Sequence, residues 1–213
     1  MKKLNFVIAI DGASASGKGT LAKLLANYFD CNYLSTGNIY RLLAQKALQQ
    51  NIAIENTYLL SELARYLPLA ELHNHTLADE KIASIASQIA VKQAIREILK
   101  KIQKNWVAKQ KIAIIEGRDI GTVICPNADI KIFITASLEV RAKRRYIELQ
   151  SKSNNVTYEE IYNELRTRDQ RDSSRIASPL RKVDDAFLLD NTDMSINEVF
   201  KKALSLIENK LTI

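Results

Sequence analysis

Apolar residues along this chain fall into two kinds of pattern. Phe6-Val7-Ile8-Ala9-Ile10 is an unbroken apolar run, as expected of a strand covered on both faces. Short runs of the same kind predict strands at Asn32–Leu34, Lys111–Ile115, Ile130–Thr135 and Ala186–Leu189. Between them, leucine and alanine recur at helical spacing. Helices are predicted from near Lys18 to about Phe29, and over Ile39–Gln50 with Thr36 as its cap. Another covers Thr57–Leu67 and is stopped by Pro68; the next is Thr76–Ala108, interrupted near Val91. Three more cover Ser137–Gln150, Tyr158–Ser174 and Ile196–Leu211, the second preceded by a polar loop from Ser151 to Thr157. Strands alternating with helices predict an α/β fold with a mostly parallel sheet and helices on both faces. Ligands in such sheets bind beyond the carboxyl ends of the strands.

The first strand ends in Gly12-Ala13-Ser14-Ala15-Ser16-Gly17-Lys18-Gly19-Thr20. A glycine-rich turn between a strand and a helix leaves backbone N–H groups facing inward, and the helix N-terminus adds its positive dipole end. Lys18 would reach the β- and γ-phosphates of a nucleoside triphosphate. Gly19 stands where a hydroxyl usually follows the lysine, so Thr20 supplies the hydroxyl near the phosphate and metal.

With 213 residues, of which 46% are hydrophobic and 26% charged, the chain can bury one well-packed core. The net charge of +7 favours acidic partners, nucleotides or nucleic acid, without choosing between them. Two cysteines, Cys31 and Cys125, lack metal-ligand spacing and are expected as reduced thiols in a cytoplasmic protein. The short apolar stretch after the basic start runs into the glycine turn, so it is read as a strand and not a signal peptide. No run approaches the length of a membrane span. His73 and His75 read as surface residues near a turn, and Trp106 as a packing residue.

Three further clusters carry candidate chemistry. Thr36-Gly37-Asn38-Ile39-Tyr40-Arg41 places Arg41 in the second turn of a helix, where a guanidinium can grip a phosphate bidentately; a solvated arginine is the plainer alternative. Glu116-Gly117-Arg118-Asp119-Ile120-Gly121-Thr122 ends a buried strand with an acid suited to magnesium's water shell. Its Arg118 and Asp119 offer a cation and an acceptor to a second substrate. Arg168, Arg171, Asp172 and Arg175 share one face of a helix. That face reads as a salt-bridged solvent surface, a nucleic-acid stripe or a lid over phosphates. No aromatic residues interleave with the basic clusters, which weakens the nucleic-acid reading.

Taken together, GASASGKGT, STGNIYR, ASQIA followed by Arg96, EGRDIGT and RDQRDSSR resemble, in order, the bacterial cytidylate kinases. The resemblance covers nearly the whole chain. It implies a nucleoside monophosphate kinase with the P-loop nucleoside-triphosphate hydrolase-like fold: a five-stranded parallel sheet, an acceptor-binding insert at about 50–106 and a lid at about 150–175, in one domain over 1–213. It implies Mg2+-dependent transfer of the γ-phosphoryl group of ATP to CMP or dCMP. By resemblance, residues 12–20 hold the ATP phosphates. Lys18, Arg118, Arg168 and Arg175 serve the transfer, and Arg41, Arg118 and Arg175 bind the acceptor phosphate, with Thr36 beside them. Ser87, Arg96 and Asp119 read cytosine, Arg168 and Asp172 meet the ribose, and Thr20 and Glu116 hold magnesium, the latter through water. The implied partners are CMP and dCMP, with neither nucleic acid nor membrane, and the implied state is a monomer.

Cytosine presents an amino donor, a ring-nitrogen acceptor and a carbonyl acceptor, which Asp119, Arg96 and Ser87 can match. Three departures from the family pattern stand out: Ser35 in place of a frequent aspartate, Glu116 in place of an aspartate, and a short stretch between Leu67 and Ser87. That stretch shows no hairpin turn and little alternation, so a truncated, mainly helical insert is expected.

Overall fold

In the computed structural model, the residues described are 6–73, 77, 79–151 and 156–211. The chain forms two compact units. One joins the segment up to Leu34 to the segment from Lys111 onward, and the other is Ser35–Gln110.

The first unit is built on a sheet of β1 (Phe6–Gly12), β2 (Tyr33–Ser35), β3 (Ile112–Gly117), β4 (Ile130–Thr135) and β5 (Phe187–Asp190), in the order β2-β3-β1-β4-β5. Strand β1 runs parallel to both neighbours, β3 and β4, and β4 runs parallel to β5. The continuous apolar strands predict this arrangement, since parallel strands are covered on both faces. Asp11 lies opposite Gly117 and Gly12 opposite Ile134, so β1 and β3 deliver their two chemical clusters side by side.

Helices α1 (Lys18–Tyr28) and α8 (Ile196–Leu211) supply the covering face. Leu21, Leu25, Val199, Ala203 and Ile207 pack with Ile8, Ile10, Ile132 and Ile134 of the sheet. Each leucine, isoleucine or valine among these taken fully out of water is worth about 1.5–3 kcal/mol. Helices α6 (Leu138–Gln150) and α7 (Tyr158–Ser174) share a smaller core of Ala142, Leu149, Ile161 and Leu165. Ser137 caps α6, and Thr157 with Glu160 forms a reciprocal capping box on α7, which fixes where each begins.

The second unit contains α2 (Thr36–Gln49), α3 (Thr57–Arg65), a 3-10 turn at Leu69–His73, α4 (Glu80–Ile89) and α5 (Gln93–Ala108), with no strand among the described residues. Helix α2 packs on α4, and α3 on α5. Leu42, Leu43, Leu60, Ile89, Ile95 and Leu99 are fully buried. The predicted helix across Thr76–Ala108 is two helices separated at residues 90–92; Thr76 and His75 lie outside the described residues. Thr36 is not a cap. It is the first helical residue, Ser35 occupies the cap position, and no side chain bonds there. Among the described residues no helix is long and apolar enough to cross a membrane.

Candidate active site

The phosphate loop is a set of tight constraints on backbone. A Cβ at Gly12 would collide with the Ile134 carbonyl and lie 2.9 Å from Ser16 Oγ, so only glycine fits between β1 and β4. Gly17 adopts φ 89°, the left-handed region open to glycine, and Ala15 reaches φ 57° without that freedom. Ser16 is fully buried, and its Oγ has no hydrogen-bond partner among the described residues. Ser14 is also buried, whereas Thr20, in the first turn of α1, is exposed.

Lys18 folds back over this loop. Its Nζ donates to the Ala13 carbonyl at 2.9 Å and lies 4.0 Å from Glu116 Oε2. Burial drives its pKa down from 10.5 to about 7; Arg118 adds to the fall, and Glu116 and Asp172 oppose it. Glu116 is buried at the end of β3.

The acidic neighbour of Gly12 has a separate task. Asp11 accepts from the Ile120 and Gly121 N–H groups at 2.8 and 2.7 Å, using both carboxylate oxygens. Burial raises its pKa to about 6 against the pull of those two bonds. The turn it holds is a π-helical turn, Ile120–Ile124, with Asp119 at its N-terminal cap. Arg118 and the buried Asp119 are thereby fixed relative to β1.

From Arg118, Nε donates to Asp172 Oδ2 of α7 at 2.7 Å. Arg175 Nη1 lies 3.8 Å from the other oxygen of Asp172, and its Nε donates to the Ser178 carbonyl at 2.8 Å. Arg168, Asp172 and Arg175 are all buried, and Arg171 is half-buried. The face is therefore interior. This excludes the salt-bridged solvent surface as its explanation. Burial would push the Asp172 carboxyl up, but Arg118, Arg175 and Arg168 hold it below the usual carboxylate range. Burial likewise opposes the Arg118 charge, and Asp172 outweighs it, raising the guanidinium pKa further.

Residues without a predicted role brace the loop. Arg141 is buried on α6 and donates to the carbonyls of Ala136 and Ser14 and to Asp169 of α7, at 2.9, 3.2 and 2.7 Å. Asn191, just past β5, donates from Nδ2 to the Ser16 carbonyl at 2.9 Å. Neither Arg141 nor Asn191 belongs to a motif read from the sequence.

In the second unit, Thr36 is buried at the start of α2, and Arg41 donates from Nη1 to the Leu77 carbonyl at 2.8 Å. Ser87 is half-buried on α4. Arg96 is buried in the first turn of α5, donates to the Ala90 carbonyl at 3.0 Å and lies over the Tyr40 ring, 5.8 Å from its centre. Thr36, Arg41, Ser87 and Arg96 thus share one unit. The other holds the loop, Glu116, Arg118, Asp119, Arg168, Asp172 and Arg175.

A family model described as Cytidylate kinase matches residues 8–209. This chain belongs to the cytidylate kinase family. The cytidylate kinase of Agrobacterium fabrum is 40% identical over 208 residues, covering 98% of this chain and 99% of that one. The cytidylate kinase of Bartonella henselae is 41% identical over 203 residues, covering 95% and 94%. Among solved structures, a shikimate kinase from Bacteroides thetaiotaomicron superposes with a TM-score of 0.52 at 13% identity, covering 95% of this chain and 98% of that one. A gluconokinase from Sinorhizobium meliloti gives 0.51 at 10% identity, covering 96% and 92%. At that identity they speak to fold alone, the α/β fold with a five-stranded sheet that this cytidylate kinase family member shows.

Proposed function

We propose that the chain transfers the γ-phosphoryl group of ATP to CMP and dCMP, giving CDP or dCDP and ADP. One observation carries this reading: beside the phosphate loop, the carboxylate of Asp172 gathers the half-buried guanidinium of Arg118 and the buried one of Arg175, with the charge of buried Arg168 acting on it as well. Guanidiniums gathered there favour an anion, and a phosphoryl group in flight is an anion between two anions.

The division of labour follows the chemistry. Residues 12–20 bind the donor phosphates through the inward-facing loop and the N-terminus of α1. Lys18 takes up a proton as phosphate arrives, because an adjacent anion favours its charged form. Arg118, Arg168 and Arg175 spread over the oxygens of the transferring group and stabilise the charge that develops there. No side chain need act as general base, since the acceptor phosphate is already an anion. Arg41, Arg118 and Arg175 grip that acceptor phosphate, with Thr36 beside it. Ser87 and Arg96 donate to the cytosine acceptors, Asp119 accepts from its amino group, and Arg168 and Asp172 contact the ribose.

Magnesium keeps several waters and is bound by one or two carboxylates plus substrate phosphates. Glu116 and the hydroxyls of Thr20 and Ser16 are donors of that class, and Ser16 Oγ is buried without a hydrogen-bond partner among the described residues. No cluster of three or more His, Cys, Asp or Glu occurs among the described residues, so the fit is to an ion arriving with a nucleotide. When bound, it would neutralise charge on the donor phosphates. The helical segment around 50–106 is assigned as the acceptor-binding insert and 150–175 as the lid, in a protein working as a cytoplasmic monomer.

The test is ADP release from Mg-ATP with CMP, dCMP, UMP, AMP and GMP offered singly. Fast turnover confined to CMP and dCMP is expected. Preference for another acceptor would overturn the roles of Ser87, Arg96 and Asp119, and no turnover with any would overturn the reaction.

A further inference from the structure

Beside the phosphate loop lies a cavity of about 630 Å3. Its walls include Lys18 and Thr20 of the loop, Leu24 of α1, Arg144 of α6, and Met194 and Ile196 beyond β5. The volume suits a small-molecule ligand, and an occupant would be continuous with whatever the loop holds. Walls that combine apolar side chains with the planar cations Arg144 and Arg145 suit the face of an aromatic base and its sugar.

Asn191 stands where this cavity meets the loop. It is 2% exposed, and both ends of its amide are engaged. Nδ2 donates to the Ser16 carbonyl at 2.9 Å, and Oδ1 accepts from Arg144 Nη1 at 2.9 Å. Its main-chain carbonyl accepts from Arg144 Nη2, also at 2.9 Å. The orientation of the amide is forced: a guanidinium can only donate and a carbonyl can only accept, so a flipped amide would be mismatched at both ends. Its main chain is fixed as well, since its N–H donates to the Thr135 carbonyl at 2.9 Å and ties it to the end of β4. A Cβ on Gly17 would lie 3.3 Å from Nδ2, so the loop passes close to this side chain.

We propose that Asn191 is a positioning residue for the phosphoryl donor. Its amide locks the Arg144 guanidinium into the cavity wall and pins the Ser16 carbonyl at the turn of the loop. The base-and-ribose end and the phosphate end of one nucleoside triphosphate are thus held in a single frame. This rests on the kinase reading above and goes beyond it, because it assigns donor recognition to a residue outside the phosphate loop. It acts through two others, one on each side.

The test separates donor from acceptor. Binding of a non-hydrolysable Mg-ATP analogue is measured by calorimetry, and KM for ATP and for CMP by steady-state kinetics. Asn191→Leu removes both amide bonds at similar volume. It is expected to weaken the analogue and raise the ATP KM by about tenfold or more, as expected for losing hydrogen bonds to a charged group and a buried carbonyl, with the CMP KM within about twofold. Asn191→Asp keeps an acceptor for Arg144 but sets a carboxylate against the Ser16 carbonyl, and it should lose analogue affinity as well. If Asn191→Leu does not fold, this variant decides alone. In an Arg144→Met background, Asn191→Leu should cost less than it does in the wild type, since the two share one interaction. Unchanged analogue affinity in a folded variant, or ATP and CMP KM values rising in step, would overturn the proposal. A wild-type protein that binds the analogue but does not turn over CMP would sink the kinase reading and leave the role of Asn191 to be decided by the binding arm.

Discussion

Arg118 and Asp172 are 54 positions apart in sequence and 2.7 Å apart in space. A residue at the end of β3 is thus locked to the interior face of α7, beyond the π-helical turn, β4 and α6. The pair sets the direction of the guanidinium, whose Nη1 also donates to the Gly117 carbonyl at 3.4 Å. Replacing Asp172 with Asn keeps an acceptor and removes the charge. The expected result is a fall in kcat/KM of about 10–100-fold, the range for losing a charged hydrogen bond, with the fold retained by circular dichroism. A folded variant with unchanged kcat/KM would remove Arg118 from the transfer step.

Lys18 links nucleotide binding to protons. Its pKa is lowered from 10.5 to about 7, so near pH 7 about half of the free protein carries it neutral. A bound phosphate favours the ammonium, so binding should take up protons from pH 7 upward and weaken as pH rises further. Calorimetry of the ATP analogue in buffers of different ionisation heat measures this uptake, and Lys18→Met should abolish it. The same shift predicts a stability trend in the free protein. With the folded pKa below the unfolded one, the contribution from Lys18 is present above 10.5 and lost as pH falls to about 7. Urea midpoints should rise with pH across that window, and Lys18→Met should flatten the rise.

Asp119 bears on base choice. In the proposed site its carboxylate would accept from the amino group of cytosine and repel the carbonyl that uracil carries there. Asp119→Asn, able to donate as well as accept, should narrow the ratio of CMP to UMP turnover by about tenfold or more. An unchanged ratio would refute the assignment of Asp119 to the base.

Gly12 is a test of the loop's seat. A methyl group there meets the backbone carbonyl of Ile134, which cannot step aside without disturbing β4. Gly12→Ala should cost about 1–3 kcal/mol in thermal or urea unfolding, the usual range for overpacking. Binding of the ATP analogue should be lost with it. A variant of wild-type stability and affinity would show that the strands part easily at this point.

Much of this was readable in the chain because local signals agreed. Tyr158–Ser174 and Ile130–Thr135 appear with the predicted bounds: a capping box opens the one, and a continuous apolar run defines the other. The phosphate loop was legible because strand, glycines, lysine and helix occur in the required order. Thr36 was misread because any threonine before an apolar helix resembles a cap, and only the backbone angles reveal that Ser35 holds that place. The arginine face of α7 could not be assigned to interior or surface from spacing alone, since burial depends on which carboxylate sits among the guanidiniums. The π-helical turn at Ile120–Ile124 has no local sequence signal. It exists because Asp11, 109 positions away from Ile120, accepts two consecutive N–H groups. Asn191 was invisible for the same reason: its partners come from three separate elements.

Asp11 and Gly12 are joined by one peptide bond, yet they hold two different loops. The first shapes the turn that presents Asp119, and the second seats the loop for the donor phosphates. A shift of β1 by a fraction of an ångström would carry both along together. On the proposed assignment, acceptor preference and donor grip are therefore mechanically linked at this strand end. Altering one without the other means working on side chains that project from the two loops and leaving the strand that launches them untouched.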